Sequence, residues 1–271
     1  FLKKNKSNDF FIHLYGDEER IKKELLLVNA STDKIKIVHS EGVVSDEESP
    51  MKAVKSSKNT SMWNSVSSQV NGDADITLSA GNTGVLLVIS RMILKMMNEV
   101  SKPALAGLWP SKKGMTVVLD LGANIECDEK NLVDFSEMGS ALFKSIFPDQ
   151  TPKVSLLNIG SEEIKGTEML KKAFIKLKTL DNNNFKFNGY IEGNELMDGN
   201  SNVVVTDGFT GNIALKTAEG TAKFIIDNLK ISLTENIFSK FSLIFSYFSL
   251  KKFKSRLDPR KYNGAIFLGL N

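Results

Sequence analysis

Four turns in this sequence combine glycine with Asn, Thr or Ser at the end of a short apolar run. They are Ser79-Ala80-Gly81-Asn82-Thr83-Gly84, Asp120-Leu121-Gly122-Ala123-Asn124, Asn158-Ile159-Gly160-Ser161-Glu162-Glu163-Ile164-Lys165-Gly166 and Thr206-Asp207-Gly208-Phe209-Thr210-Gly211-Asn212. Glycine lets backbone N–H groups approach an anion, and a helix that begins just after the turn adds the positive end of its dipole. Any one such turn is also what tight strand-to-helix connections and helix N-caps ordinarily use. Taken together, the four point to an anionic ligand held beyond the carboxyl ends of the strands of an open α/β sheet.

Other chemistries lack their residues. There is no G-x-x-x-x-G-K-[ST] phosphate loop, no G-x-G-x-x-G dinucleotide turn and no G-x-S-x-G nucleophile elbow. The chain's two histidines, His13 and His39, fall on early expected strands, away from these loops. Cys127 follows Asn124 in a polar loop with no His in view to activate it, so it reads as an inert thiol. Asp120 and Asp207 sit in no repeated carboxylate cluster, and no metal is expected to be required. What remains is Lys165, Lys216, Asp207, Glu162, Glu163 and the amides of Asn82, Asn124, Asn158 and Asn212. Lysine binds phosphate as a point charge, and amides donate to phosphate or to a developing oxyanion. That equipment suits a nucleophile that arrives already ionised, such as inorganic phosphate, which needs positioning and not deprotonation.

The elements that must carry these turns follow a βαβ rhythm. The expected strands are Phe10–Tyr15, Lys34–His39, Asp75–Ser79, Ala104–Leu108, Thr116–Leu121, Val154–Ile159, Phe187–Ile191, Val203–Thr206 and Ala265–Leu268. The expected helices are Glu18–Val28, Met51–Val70, Thr83–Met97, Asn131–Phe147, Thr167–Leu180 and Gly211–Leu233. With no Pro- or Ser-rich linker, residues 1–271 read as a single α/β domain with a helical excursion at 231–261. The composition, 41% apolar and 25% charged over 271 residues, is that of a globular chain. The longest uncharged stretch, Ile76 to Ser90, contains Gly81 and Gly84 and is shorter than the roughly 20 residues of a spanning helix. The start, Phe1-Leu2-Lys3-Lys4, has neither an initiator Met nor an apolar signal core and reads as a chain entered mid-gene.

The net charge of +3 is unevenly placed: Ile231–Lys261 holds seven basic and two acidic residues, a local +5, which leaves the rest at −2. A weakly acidic body with one basic segment argues against a nucleic-acid surface and for one local anionic contact. On a helix from Ile237 to Leu250, Ile237, Phe238, Phe241, Ile244, Phe245 and Phe248 share one side, Ser239, Ser242, Ser246 and Ser249 lie opposite, and Lys251, Lys252, Lys254 and Arg256 follow. This pattern fits a core helix, a helix lying in a membrane interface beside anionic lipid, or a dimer helix pair whose tip touches membrane. The same cations could instead steer an acidic carrier protein.

The quoted turns, together with Leu78, Leu119, Leu156-Leu157, Tyr190-Ile191-Glu192-Gly193, Val204-Val205 and Ala214-Leu215-Lys216-Thr217, are long, in order, and spread from about Phe11 to Gly269. In these motifs the sequence resembles the PlsX-type phosphate acyltransferases of bacterial phospholipid synthesis. The resemblance implies a three-layer α/β/α fold with a mostly parallel sheet, like that of phosphotransacetylases and isopropylmalate dehydrogenases. The implied reaction moves a fatty acyl group from acyl carrier protein to inorganic phosphate without a cofactor, and the acyl phosphate feeds a downstream glycerol-phosphate acyltransferase. It further implies a homodimer in the cytoplasm, peripherally associated with the inner face of the cell membrane, and Phe241, Phe245, Phe248, Lys251 and Lys252 are the candidate membrane or carrier contacts. The family's opening strand with an Asp-x-Met-Gly-Gly-Asp turn and its closing strand with an Ala-His-Gly-type motif are not matched, so a truncated chain is expected.

On this reading Lys165, Asp207 and Asn212 are the candidate catalytic residues, Asp207 orienting Lys165 or its own loop. Ser79, Gly81, Asn82, Thr83, Asn124, Asn158, Glu163, Gly208, Thr210, Gly211 and Lys216 are the candidate phosphate- and substrate-binding residues. Two alternatives stay open: a phosphate acetyl- or butyryltransferase using coenzyme A, and a catalytically inactive membrane-associated binding protein. If the Phe-rich helix lies in a membrane, Phe241→Asp combined with Phe245→Asp abolishes co-sedimentation with anionic vesicles; unchanged sedimentation refutes the membrane contact.

Overall fold

The computed structural model describes residues 10–45, 55–181, 183–235, 246–253 and 264–271. The contacts group the chain into two compact units, Phe1–Asn98 with Leu270–Asn271, and Glu99–Gly269.

In the first unit, β1 (Ile12–Gly16) pairs in parallel with β2 (Ile35–His39), Ile12 opposite Ile35 and Gly16 opposite His39. Between them runs α1 (Glu18–Leu27), whose first turn is capped by the Asp17 carboxylate accepting the Arg20 N–H. The helices α2 (Ser61–Val70) and α3 (Thr83–Leu94) enclose a small core of Val44, Met62, Val66, Val85 and Ile89. Three expectations need correction here. Asp75–Ser79 is not a strand: its apolar alternation finds no neighbouring strand to pair with among the described residues, and Ile76 and Leu78 are 82% and 92% exposed. Within the helix expected over Met51–Val70, residues 55–56 are helical, 57–60 are not, and α2 begins at Ser61 because the Thr60 hydroxyl caps the Trp63 N–H; 51–54 lie outside the described residues. The helix expected to reach Met97 stops at Leu94, where Lys95 turns to φ 64°.

The second unit holds a six-stranded sheet of β3 (Ala104–Ser111), β4 (Gly114–Leu119), β5 (Lys153–Leu157), β6 (Lys186–Ile191), β7 (Val203–Val205) and β8 (Ala265–Leu268), in the order β6-β5-β7-β4-β3-β8. The pairs β6/β5, β5/β7 and β7/β4 are parallel, while β3 runs antiparallel to both β4 and β8. Alternate residues of each central strand face opposite ways. Val117, Leu119, Val154, Leu156, Val203 and Val205 bury one face against α4 (Glu129–Ile146) and α5 (Glu168–Thr179) with Phe135, Phe143 and Phe174. Val118, Leu157, Ile191 and Val204 bury the other, together with Ala214, Leu215 and Ala218 of α6 (Gly208–Thr234). These two buried faces make the expected α/β/α layering. Residues 246–253 form a short helix, so the Ile237–Leu250 expectation is met over 246–250, while 236–245 and 254–263 lie outside the described residues.

Helix α4 can lie close on the sheet because Ser136, Gly139 and Ser140, at i, i+3 and i+4, present a small face. A Cβ at Gly139 would stand 2.7 Å from Val203 Cγ1 and 2.8 Å from Leu119 Cδ2. Gly139→Val should therefore destabilise by about 1–3 kcal/mol in urea unfolding. Gly220, on α6 with nothing within 4 Å of a built Cβ, is the control, and Gly220→Ala should stabilise by about 0.5–1 kcal/mol.

Candidate functional site

Three of the four turns leave neighbouring strands of the second unit. Leu119 of β4 is level with Val205 of β7, which is level with Leu156 of β5. At about 4.8 Å per strand, the turns beginning at Asp120, Thr206 and Asn158 start within roughly 10 Å of one another.

The Asp120 turn is organised by one carboxylate. Asp120 is fully buried. Its Oδ1 accepts from the Leu105, Gly122 and Ala123 N–H groups at 3.0, 3.1 and 2.9 Å, and its Oδ2 accepts from the Asn124 N–H and the Asn124 Nδ2, each at 2.8 Å. The second Nδ2 hydrogen of Asn124 goes to the Pro103 carbonyl at 2.6 Å. Both oxygens of Asp120 are thus spent on amides, and so is the Asn124 side-chain donor. The peptide between Leu119 and Asp120 is cis.

This turn is locked to the start of α6. The Thr206 N–H donates to the Leu119 carbonyl at 2.7 Å, the Asp120 N–H to the Thr206 carbonyl at 3.0 Å and the Gly208 N–H to the Asn124 carbonyl at 2.8 Å. Gly208 and Gly211 are required here by proximity. A Cβ at Gly208 would run into the Asn124 backbone, and one at Gly211 into the Asp120 carbonyl. The helix begins three residues earlier than the expected Gly211, because Asp207 is its N-cap and accepts from the Thr210 N–H at 2.9 Å and the Thr210 hydroxyl at 2.8 Å. Asp207 therefore orients its own loop, and its carboxylate is engaged there and not with Lys165. Asn212 is exposed, with its side chain beside Gly122.

In the 158–166 turn the buried Asn158 does the scaffolding. Its Oδ1 accepts the Ile159 N–H at 2.8 Å and its Nδ2 donates to the Lys165 carbonyl at 3.1 Å. Gly166, at φ 96°, leaves room for that amide. Lys165 folds its exposed side chain over Gly160 and pairs with Glu162 at 2.9 Å, an ion pair that holds the Lys165 ammonium above the usual lysine range and the Glu162 carboxyl below its own. Glu163 points away to Lys178 at 2.7 Å, and Lys216 pairs with Glu219 at 3.0 Å along α6.

The remaining candidates belong to the first unit. Ser79 Oγ accepts the Gly81 N–H at 3.2 Å, and Asn82 caps α3 by accepting the Val85 N–H at 3.1 Å, with Thr83 exposed in the first turn. That loop is a helix N-terminus of the expected kind, although it does not follow a strand. His13 and His39 stand on β1 and β2, and His39 Nδ1 accepts the Glu18 N–H at 3.3 Å. Burial pushes the Cys127 thiol up to about 11, so at neutral pH it is protonated and a poor nucleophile. Among the described residues no group of three or more His, Cys, Asp or Glu is arranged to hold a metal ion, and no helix is long and apolar enough to cross a membrane.

By residue type alone Asp120 suggests a metal ligand. The sign of its real work is the Asp-x-Gly-x-Asn spacing, which lets a carboxylate collect the amides of its own turn. Asp120→Ala strands those donors in the interior and should cost about 3–5 kcal/mol in urea unfolding. Asp207→Ala, at the partly exposed cap, should cost about 1 kcal/mol. Equal losses for the two would contradict this division of labour.

Comparison with known proteins adds to this geometry. The family described as fatty acid synthesis protein matches residues 1–271. The chain is 55% identical over 268 residues to the phosphate acyltransferase of Pelagibacter ubique, covering 99% of this chain and 80% of that one. It is 42% identical over 258 residues to the phosphate acyltransferase of Paramagnetospirillum magneticum, covering 95% and 73%. Among solved structures, a phosphotransacetylase from Streptococcus pyogenes superposes with a TM-score of 0.56 at 16% identity, covering 77% of this chain and 73% of that one. EutD phosphotransacetylase from Staphylococcus aureus superposes with a TM-score of 0.53 at 17% identity, with the same coverage, and both likenesses speak to the fold. By its sequence along the whole length, the chain belongs to the fatty acid synthesis protein family, that of the PlsX-type phosphate acyltransferases.

Proposed function

We propose that this acyltransferase moves a fatty acyl group from acyl carrier protein to inorganic phosphate and releases acyl phosphate for phospholipid synthesis. The observation that carries the reading is the anion-binding equipment gathered on adjacent strand ends of the second unit. Lys165 and the α6 N-terminus stand on adjacent strand ends, both histidines of the chain lie in the first unit, and the Cys127 thiol is protonated. Phosphate near neutral pH arrives as an anion and needs positioning and not deprotonation.

Lys165 exchanges Glu162 for phosphate and holds it against the thioester carbonyl. A phosphate oxygen bonds to the carbonyl carbon, and the oxygen that becomes negative is stabilised by donors of the 206–212 loop, with Asn212 the candidate side chain. Collapse breaks the C–S bond and expels the carrier thiolate, a leaving group with a thiol pKa of about 8.5 that needs no acid. Asp207 acts by fixing the start of α6. In the first unit, the 79–84 loop offers a second helix N-terminus suited to an anion.

The carrier and the location rest on the basic end of the chain. Phe248 is 81% exposed beside the exposed Lys251 and Lys252, while Phe241 and Phe245 lie outside the described residues. A charged, aromatic surface of this kind suits an acidic carrier protein or an anionic lipid headgroup at the inner face of the cytoplasmic membrane. Along α6, Phe224 and Ile231 are also exposed, as a second copy of the chain would require of a homodimer face. A downstream glycerol-phosphate acyltransferase would consume the product. The likeness of fold to phosphotransacetylases keeps one competing reading, short-chain transfer from coenzyme A.

Supplied with phosphate, the protein should form acyl phosphate from acyl carrier protein thioesters at a kcat/KM well above that for coenzyme A thioesters; the reverse order would select the competing reading, and no turnover with either would favour an inactive binding protein. Lys165→Ala should lower acyl-phosphate formation about 100- to 1,000-fold with an unchanged circular dichroism spectrum. Turnover at the wild-type rate would remove Lys165 from the mechanism.

A further inference from the structure

The three clustered turns carry apolar side chains where polar ones are the rule. Ile125, Ile159, Ile164, Phe209 and Ile213 are 75%, 80%, 82%, 59% and 51% exposed. Single exposed apolar residues are ordinary, but a group of five on three adjacent loops marks a binding surface. The group is also held in place. Ile125 follows Asn124, whose amide is tied to Asp120 and Pro103, and the Ile159 N–H is bonded to Asn158 Oδ1. Phe209 and Ile213 are four residues apart on α6 and share one face of its first turns. Ile164 directly precedes Lys165. The loops have therefore turned their polar side chains to scaffolding and left apolar ones to the outside.

We propose that Ile125, Ile159, Ile164, Phe209 and Ile213 form the surface on which the hydrocarbon chain of the acyl donor lies, and that they set the preference for long chains over short ones. The proposal rests on the acyl-transfer reading above. What selects this occupant is the mixture of chemistries within a few residues. Lys165 and the α6 N-terminus attract an anion, and the apolar side chains of the same three turns attract a chain of methylenes. A fatty acyl group meeting phosphate supplies both at once. A membrane would place lipid headgroups on isoleucines, and a second copy of the chain would bury Lys165 away from its substrate.

The test is acyl-phosphate formation from hexadecanoyl and butanoyl carrier thioesters, comparing wild type with Ile164→Ser, Phe209→Ser and the double variant. In wild type the hexadecanoyl donor should have the higher kcat/KM. In the double variant the ratio of hexadecanoyl to butanoyl kcat/KM should fall at least about tenfold. Ile164→Leu with Phe209→Leu should retain most of the ratio, and because the side chains are exposed, thermal unfolding should be little changed in all variants. An equal loss for both donors, no loss for either, or a change in oligomeric state or vesicle binding with the ratio intact would overturn the proposal while leaving the acyl-transfer reading in place. Absence of acyl phosphate from the wild-type protein would instead remove the reading on which it rests.

Discussion

One buried carboxylate holds the site together. Asp120 sits at the end of β4 with no exposure to solvent, and both of its oxygens accept from amide N–H groups. A buried charge of this kind is tolerable only when its lone pairs are filled, and each donor that fills them is thereby fixed in space. Three of those donors are successive backbone N–H groups of its own turn, so the carboxylate decides the path of the chain from Gly122 to Asn124. The Asn124 carbonyl then receives the Gly208 N–H, and Gly211 packs on the Asp120 carbonyl. The position of the α6 N-terminus is inherited from Asp120.

The second unit was largely legible because its central strands are short and apolar and bury both faces, as runs such as Val203-Val204-Val205 announce. Helix starts were less legible where the cap is itself a candidate functional residue. Asp207 has the composition of a catalytic acid and the position of an N-cap, and only its bonds to Thr210 decide which. The failure at Asp75–Ser79 has a different origin. Alternating Ile76 and Leu78 describe a strand with one apolar face, yet a strand also needs a neighbour for its N–H and C=O groups, and a pattern of side chains cannot name one.

Within the candidate site, residue type alone does not say what an amide bonds to. Asn82, Asn124, Asn158 and Asn212 were all expected to offer amides to a ligand. Asn124 spends its donors on Asp120 and Pro103, Asn158 ties Ile159 to Lys165, and Asn82 caps α3, whereas Asn212 remains at the surface beside Gly122. An amide has both a donor and an acceptor, and turns rich in glycine expose many backbone groups that compete for it. The apolar residues of the same turns are hard to read from sequence for the opposite reason. Isolated isoleucines between Gly and Asn show no period, and only their exposure on adjacent loops turns them into a surface.

The electrostatics of Lys165 follow from the same economy of partners. Its contact with Glu162 is an exposed pair within one turn, and such pairs contribute little because water screens the attraction and two long side chains lose freedom. An incoming dianion can therefore displace Glu162 at small cost, and it brings twice the charge. The pair also raises the lysine's affinity for its proton, which keeps the cation intact below the folded pKa, throughout the range in which phosphate gains its second charge. In the proposed mechanism Glu162 is a placeholder that keeps Lys165 folded over Gly160 until a stronger anion takes its place. A buried partner such as Asp120 could not do this, since an exchange there would cost the desolvation of both groups.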